Sequence, residues 1–144
     1  MMYCVTRVSE RVPRAVCVLL VMLWCCSVYG HTLTVRIQNS DGISGRVQVG
    51  VFKKGAQFLK VPVYGAIVTP NAKEVLVSIE NVATDVYCLS AFHDKNSNGK
   101  LDFLFFFPSE RTAFSKNYRP MGPPDFEGCA VRIDRDETYT LRLE

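Results

Sequence analysis

Long helical periods, basic blocks and internal repeats are all missing from this sequence of 144 residues. Basic and acidic residues nearly balance, with a formal net charge of +3, and no basic run is interleaved with aromatic residues. Nucleic acid is therefore excluded as an expected partner, because its recognition depends on a basic surface. A low-complexity linker is also missing, so the composition predicts one folded domain.

The first thirty residues are predicted to be a secretory signal peptide. Arg7, Arg11 and Arg14 precede the apolar run AVCVLLVMLWCCSVYG, which ends in small residues, as in a cleaved signal. A membrane helix needs about 20 apolar residues, so we expect cleavage rather than a retained anchor, and a secreted or extracytoplasmic protein. Residues 31–144 then form one domain with a net charge of about +1. We expect a monomer without stable membrane insertion, because a chain of this length buries its own core.

Cysteine is scarce outside the predicted signal. Four of the six cysteines lie within it, which leaves Cys88 and Cys129. In an oxidising compartment these two residues form either a disulfide closing a loop of about 40 residues or two buried thiols. The sequence leaves both alternatives open, because it does not give the distance between their Cα atoms.

Short segments with alternating apolar residues recur along the chain, separated by turns rich in Gly, Asn, Asp and Pro. They predict an all-β fold, a seven-stranded immunoglobulin-like β-sandwich. The stretch GAQFLK, residues 55–60, is expected to be a turn. The connection 94–127 shows no clear strand, and its length and aromatic content indicate one long ordered loop of functional interest. The seven strand segments are 32–38, 46–52, 63–69, 73–81, 84–92, 129–134 and 138–144.

The long loop begins with a pattern typical of a calcium-binding loop, Asp94-x-Asn96-x-Asn98-Gly99-x-x-Asp102. Alternate residues of a tightly turning loop can direct hard oxygen ligands at one Ca²⁺ ion, and a glycine allows the sharp turn. The predicted ligands are the side chains of Asp94, Asn96, Asn98 and Asp102, the carbonyl of Lys100, and Glu110.

One ligand position departs from the helix–loop–helix version of this loop. Its twelfth residue would be a bidentate Glu, but Phe105 stands there, so Glu110 is the nearest candidate for the missing ligand. We expect modest Ca²⁺ affinity, about 10⁻⁴–10⁻³ M. The alternative is a metal-free turn in which Asn and Asp side chains bond to their own backbone.

Catalytic alternatives have less to support them, and we expect a non-enzymatic protein. His31 would be the N-terminal residue after cleavage, and with His93 it could form a copper brace, but we expect Ca²⁺ rather than Cu²⁺. The carboxylates of Asp94, Asp102 and Glu110 could provide an acid–base pair. Ser115 lacks a nucleophile elbow.

Four phenylalanines follow the acidic loop: Phe103, Phe105, Phe106 and Phe107. They form either an exposed surface for a glycan, a protein partner or a membrane interface, or a cap on the sandwich core. The sequence does not identify the partner, and an extracellular or periplasmic protein or glycan is the expectation.

The segments AFHDKNSNGKLD, PSE, AFS and GPPDFEGCAV occur in this order and resemble the motifs of the secreted bacterial family DUF2141. The resemblance implies a transthyretin- or prealbumin-like β-sandwich and assigns no function. The matching positions include His93, Gly99 and Ser115, which we expect to support the loop. The segment FLFFFP and the two cysteines depart from the family pattern. The other matching positions are Asp94, Asn96, Asn98, Asp102, Pro108, Glu110, Phe114, Gly122, Pro123, Pro124 and Phe126.

Overall fold

Strands make up most of the chain that the computed structural model describes, namely residues 30–38, 44–105 and 107–144. The predicted signal peptide lies outside these residues except for Gly30, and so do Phe106 and the side chain of Phe107. Buried and exposed side chains alternate along the longer strands. This alternation is typical of a sheet that packs one face on a core.

Ten strands, one short helix and one 3₁₀ turn are found in the described residues. None of the helical segments there has the length and apolar character needed to cross a membrane. The strands are β1 (His31–Gln38), β2 (Arg46–Phe52), β3 (Tyr64–Val68), β4 (Glu74–Val82), β5 (Asp85–Asp94), β6 (Phe103–Leu104), β7 (Phe107–Pro108), β8 (Thr112–Phe114), β9 (Ala130–Ile133) and β10 (Glu137–Arg142), the helix is α1 (Phe126–Cys129) and the 3₁₀ turn is Ser115–Asn117.

The smaller sheet has the strand order β10–β1–β4. Its central strand β1 runs parallel to β10 and antiparallel to β4. Leu33, Val35 and Ile37 of β1 are fully buried, and they pair with three buried apolar residues of β4. β1 and β4 therefore form one continuous apolar surface on the inner face of this sheet.

The larger sheet is organised around β5. Its order is β3–β2–β5–β8, and β9 also pairs with β5. Residues Asp85–Cys88 of β5 pair with β9, whereas Ser90–Phe92 pair with β8. One long strand thus supports two short ones, one after the other along the same edge.

The core lies between the two sheets. Val47, Val49 and Val51 from β2 join Tyr87 and Leu89 from β5 in the cluster that contains the buried residues of the smaller sheet. Burying such side chains is worth about 1.5–3 kcal/mol each. The all-β prediction is confirmed, and the seven predicted segments correspond to β1–β5, β9 and β10.

The connection after Asp94 differs from the prediction. It contains β6, β7, β8 and α1, where no clear strand was expected. These strands have two or three residues each, which is too short for an alternating pattern to be recognised. The stretch 55–60 is a turn as predicted, and Phe58 N donates to Gly55 O at 3.0 Å.

Cys88 and Cys129 form a disulfide, with their Cα atoms 5.1 Å apart. Cys88 precedes the inward-facing Leu89 on β5, so its side chain lies on the outer face of the larger sheet. Both cysteines are fully buried there beside Phe114 and Phe126. The bridge is therefore part of a second, smaller apolar cluster that covers the outer face.

Helix α1 is held by its N-cap, Asp125. The Asp125 carboxylate accepts hydrogen bonds from Gly128 N at 2.8 Å and from the Tyr118 hydroxyl at 2.7 Å. The Tyr118 hydroxyl, followed by the Gly128 N–H, lowers the pKa of Asp125. Gly128 is also needed for this packing, because a Cβ there would lie 2.3 Å from the Tyr118 ring.

Removing the disulfide should weaken the fold. We expect the variant Cys88→Ala/Cys129→Ala to lose about 4 kcal/mol of unfolding free energy, because the bridge closes a loop across 41 positions and restricts the unfolded chain. Urea unfolding with and without reductant measures the loss. Reduction should affect the unmodified protein and leave the double variant unchanged; equal midpoints for the two oxidised proteins would contradict the expectation.

Asp125 should make stability depend on acidic pH. Because its pKa is lower when folded, its stabilising effect is fully present above the unfolded value of about 3.9 and is lost as the pH falls through the folded pKa. Melting temperatures of the protein and of Asp125→Asn should therefore differ at pH 7 and converge near pH 2. A difference that is constant with pH would exclude this role.

Candidate functional site

Asp94 closes β5 and starts the loop. Its side chain is fully buried, and it accepts hydrogen bonds from three donors. Asn98 N lies 3.1 Å from Oδ1, while Gly99 N and Gln48 Nε2 lie 2.8 and 3.1 Å from Oδ2. A buried carboxylate needs such donors, so Asp94 fixes the loop backbone to the sheet.

Gly99 permits the turn that these bonds require. Its φ is +80°, in the left-handed region that favours glycine. A Cβ at this position would meet no atom within 4 Å. The backbone conformation, rather than crowding, therefore explains the glycine, and its predicted role as a loop support fits this geometry.

Asn96, Asn98 and Asp102 form a second set of contacts. The Asn96 amide donates to Asp102 Oδ2 at 2.6 Å, and the Asn98 amide donates to both Asp102 oxygens at 3.0 Å. The amide oxygens of Asn96 and Asn98 accept from Asn98 N at 3.0 Å and Lys100 N at 2.8 Å. The structure therefore brings together the four predicted side chains and contains the Asx turns of the metal-free alternative.

Glu110 joins the two ends of this loop. Only 8% of it is exposed, and its carboxylate accepts from Lys95 N at 2.9 Å and from Asp102 N at 3.3 Å. Ser109 N also donates to Asp102 O at 2.9 Å. The predicted ligand Glu110 thus lies at the loop, where it binds backbone N–H groups.

The donor set suits a hard cation in composition. It consists of oxygen atoms, and each Asn oxygen uses one of its two lone pairs in its Asx turn. The side-chain amides of Asn96 and Asn98 donate to the Asp102 carboxylate. Their N–H groups occupy the side of the carboxylate at which a cation would bind. In the described ranges, however, no group of three or more His, Cys, Asp or Glu residues could hold a metal. An ion here would therefore depend on the Asn oxygens and the Lys100 carbonyl in addition to the carboxylates.

His93 supports the neighbouring turn. It is fully buried, its Nε2 lies 2.7 Å from Ser44 O, and its backbone N donates to Arg111 O at 3.0 Å. Gly45 follows in that turn with φ of +76°, and a Cβ there would lie 2.3 Å from Asp94 O. The sequence interpretation missed Gly45 and Gln48, although both lie in the segment GRVQVGVF.

Ser115, the third predicted loop support, lies in the later part of the 94–127 connection, and its hydrogen bonds reach β5 and the disulfide region. It is fully buried, and its Oγ accepts from Leu89 N at 3.0 Å and donates to Cys129 O. Ser115 therefore ties the disulfide region to the middle of β5.

His31 and His93 are not brought together. His31 Nε2 lies 2.9 Å from Thr84 Oγ1, immediately before β5, whereas His93 is near the other end of that strand. Nine residues of extended chain span roughly 30 Å. Two ligands of one copper ion would have to be far closer than this.

The phenylalanines after the loop are exposed where the structure describes them. The exposed fractions are 59% for Phe103 and 89% for Phe105. Phe103 and Phe105 therefore do not cap the core, which excludes that alternative for these two residues. Phe106 and the side chain of Phe107 lie outside the described residues.

One known protein family matches this chain. A family model described as "Uncharacterized protein conserved in bacteria (DUF2141)" matches residues 35–140. The chain belongs to the DUF2141 family. No curated protein and no solved structure matches it. In this DUF2141 protein the matched range begins within β1, ends within β10 and includes the complete loop from His93 to Glu110.

Glu110 can be tested as the residue that closes the loop. Glu110→Gln should lower the unfolding free energy by about 1–3 kcal/mol, because one oxygen becomes an amide group facing a backbone donor. Urea unfolding gives this loss, and amide hydrogen exchange should show reduced protection at Lys95 and Asp102. Glu127→Gln, at an exposed carboxylate, is the matched control. Unchanged exchange at both amides would contradict the assignment.

Proposed function

We propose that this DUF2141 protein is an extracytoplasmic, non-enzymatic binding or structural module whose loop is stabilised by Ca²⁺. The convergence of Asp94, Asn96, Asn98 and Asp102 in one hydrogen-bonded loop carries the proposal. The secretion signal predicted at the N-terminus supports the location. The buried disulfide agrees with it, since such bridges persist in oxidising compartments.

The ion would act as a structural cross-link. Asp94, Asn96, Asn98 and Asp102 would hold it through side-chain oxygens, with the Lys100 carbonyl and Glu110 as further ligands. A bound Ca²⁺ supplies positive charge that offsets the repulsion among the carboxylates and the entropy of ordering the loop. Exposed Lys95 and Lys100 reduce the local negative potential, which favours modest affinity.

The surroundings of the carboxylates support a role without catalysis. Both oxygens of Asp94 and of Glu110 are held by N–H groups, as in structural carboxylates. Two shallow surface depressions, one beside Lys53 and Phe126 and one beside Gln38 and Lys73, have no residue of the segment Asp94–Glu110 in their walls. The copper alternative gains no support from the placement of the two histidines.

Thermal unfolding in the presence of Ca²⁺ tests the proposal. At 10 mM Ca²⁺ and a dissociation constant of about 1 mM, binding should stabilise the protein by about 1.4 kcal/mol. The melting temperature should rise by about 5 °C, the rise should disappear in chelator, and Mg²⁺ should give a smaller one because it requires a tighter octahedral site.

Asp102 is the best position for the accompanying variant, because it is only half-buried and its loss should leave the fold intact. Asp102→Asn should remove most of the Ca²⁺ response. Asp134→Asn, which changes an exposed carboxylate outside the loop, should retain it. If the unmodified protein shows no Ca²⁺ response, or Asp102→Asn responds equally, the calcium proposal fails.

A further inference from the structure

The sequence contains one Asn-Gly pair, Asn98–Gly99, and it lies at the turn of the acidic loop. Such pairs deamidate spontaneously, because glycine has no Cβ to keep its backbone nitrogen from the side-chain carbonyl carbon of the preceding asparagine. Both residues are exposed, so water and hydroxide reach them. Burial therefore does not protect this pair, and its hydrogen bonds determine how fast it reacts.

Deamidation would exchange groups at Asn98 in two steps. The Gly99 nitrogen loses its proton and bonds to Asn98 Cγ, the Cγ–Nδ2 bond breaks, and the proton leaves with the amide group as ammonia. The succinimide ring that remains is then opened by water at one of its two carbonyl carbons. One product is aspartate with an unchanged backbone, and the other is isoaspartate, in which the backbone runs through the former side chain.

The attacking nitrogen is held in its protonated form. Gly99 N donates to Asp94 Oδ2 at 2.8 Å. Loss of the proton would place a negative nitrogen against a negative carboxylate oxygen, which repulsion between like charges opposes. Asp94 is fully buried and also accepts from Gln48 Nε2, so the carboxylate cannot follow the nitrogen. The hydrogen bond must therefore break before Gly99 can attack.

The Asn98 amide is fixed by contacts of its own. Its Nδ2 donates to both oxygens of Asp102 at 3.0 Å, and these contacts must be lost before Nδ2 can leave as ammonia. Its Oδ1 accepts from Lys100 N at 2.8 Å, a contact that acts in the opposite direction because it polarises the carbonyl group. The bonds to the two carboxylates are charge-assisted and therefore stronger, so protection prevails in the closed loop.

We propose that Asn98 is a site of spontaneous deamidation, which the closed loop suppresses through Asp94 and Asp102 and which proceeds when the loop opens. Isoaspartate here would lengthen the backbone by one methylene group and displace the Gly99 N–H from Asp94. The buried carboxylate would then lose a donor, which is costly. Opening that lasts long enough for the reaction would therefore leave a permanent covalent change. This role goes beyond the proposed calcium site and does not depend on an ion.

Incubation in mildly alkaline buffer with chelator, followed by mass spectrometry of the peptides, tests the site. Asn98 in the folded protein should gain the mass of deamidation at least about tenfold more slowly than in guanidinium chloride. Gly99→Ala, compared in guanidinium chloride where folding has no part, should lose most of this mass gain. Equal rates in the folded and unfolded protein, or an undiminished mass gain in Gly99→Ala, would overturn the assignment.

Two variants test the protecting residues in the folded protein. Asp94→Asn removes the negative acceptor of Gly99 N and should accelerate the mass gain about tenfold. Asp102→Ala frees the Asn98 amide and should accelerate it about fivefold. Asp102 is only half-buried, so this variant remains informative if Asp94→Asn does not fold. The matched control is Asp134→Ala, at an exposed carboxylate outside the loop, and it should react like the unmodified protein.

Unchanged rates in the folded variants, or an equal acceleration in Asp134→Ala, would overturn the protecting role. A faster reaction in the folded protein than in guanidinium chloride would also overturn it and would show that the contact from Lys100 N dominates. The isoaspartate form, isolated by chromatography, should melt at a lower temperature, and an unchanged melting temperature would contradict a permanent opening. Because chelator is present throughout, failure of this proposal would leave the calcium proposal unaffected.

Discussion

The buried carboxylate of Asp94 is the contact on which the loop depends. It is the last residue of β5, and its hydrogen bonds reach forward to Asn98 and Gly99 and sideways to Gln48 on β2. A buried charge is stable only when donors surround it. The sheet therefore positions the loop, and the loop in turn satisfies the charge at the end of the sheet.

Strand β5 also contacts the core, the disulfide and Ser115. Its inward side chains Tyr87 and Leu89 belong to the core, and Cys88 on its outer face bonds to Cys129. Ser115 bonds to Leu89 N in the middle of the strand. The disulfide cluster and the acidic loop thus lie at different positions along one strand, so changes in one need not disturb the other.

The sequence predicted the long strands well because their periodicity is local. It did not predict β8, whose three residues are held by pairing with β5 rather than by any pattern. The loop residues were also predictable, since their spacing follows from the turn itself. Gln48 and Gly45 were missed because they reach Asp94 from a distant segment, and the exposure of Phe105 depends on the hairpin that forms around it.

Phe105 links the two unusual features of this loop. It occupies the twelfth position, where a calcium loop of the helix–loop–helix kind has its bidentate glutamate, and the carboxylate that reaches the loop instead belongs to Glu110. The chain can return with Glu110 only after it has turned through β6 and β7. The hairpin that presents Phe105 to the outside is therefore the same element that brings the closing carboxylate back. The same hairpin closes the loop and exposes Phe105. A mutation that breaks the hydrogen bonds of Glu110 should therefore also make the tip of the hairpin more mobile.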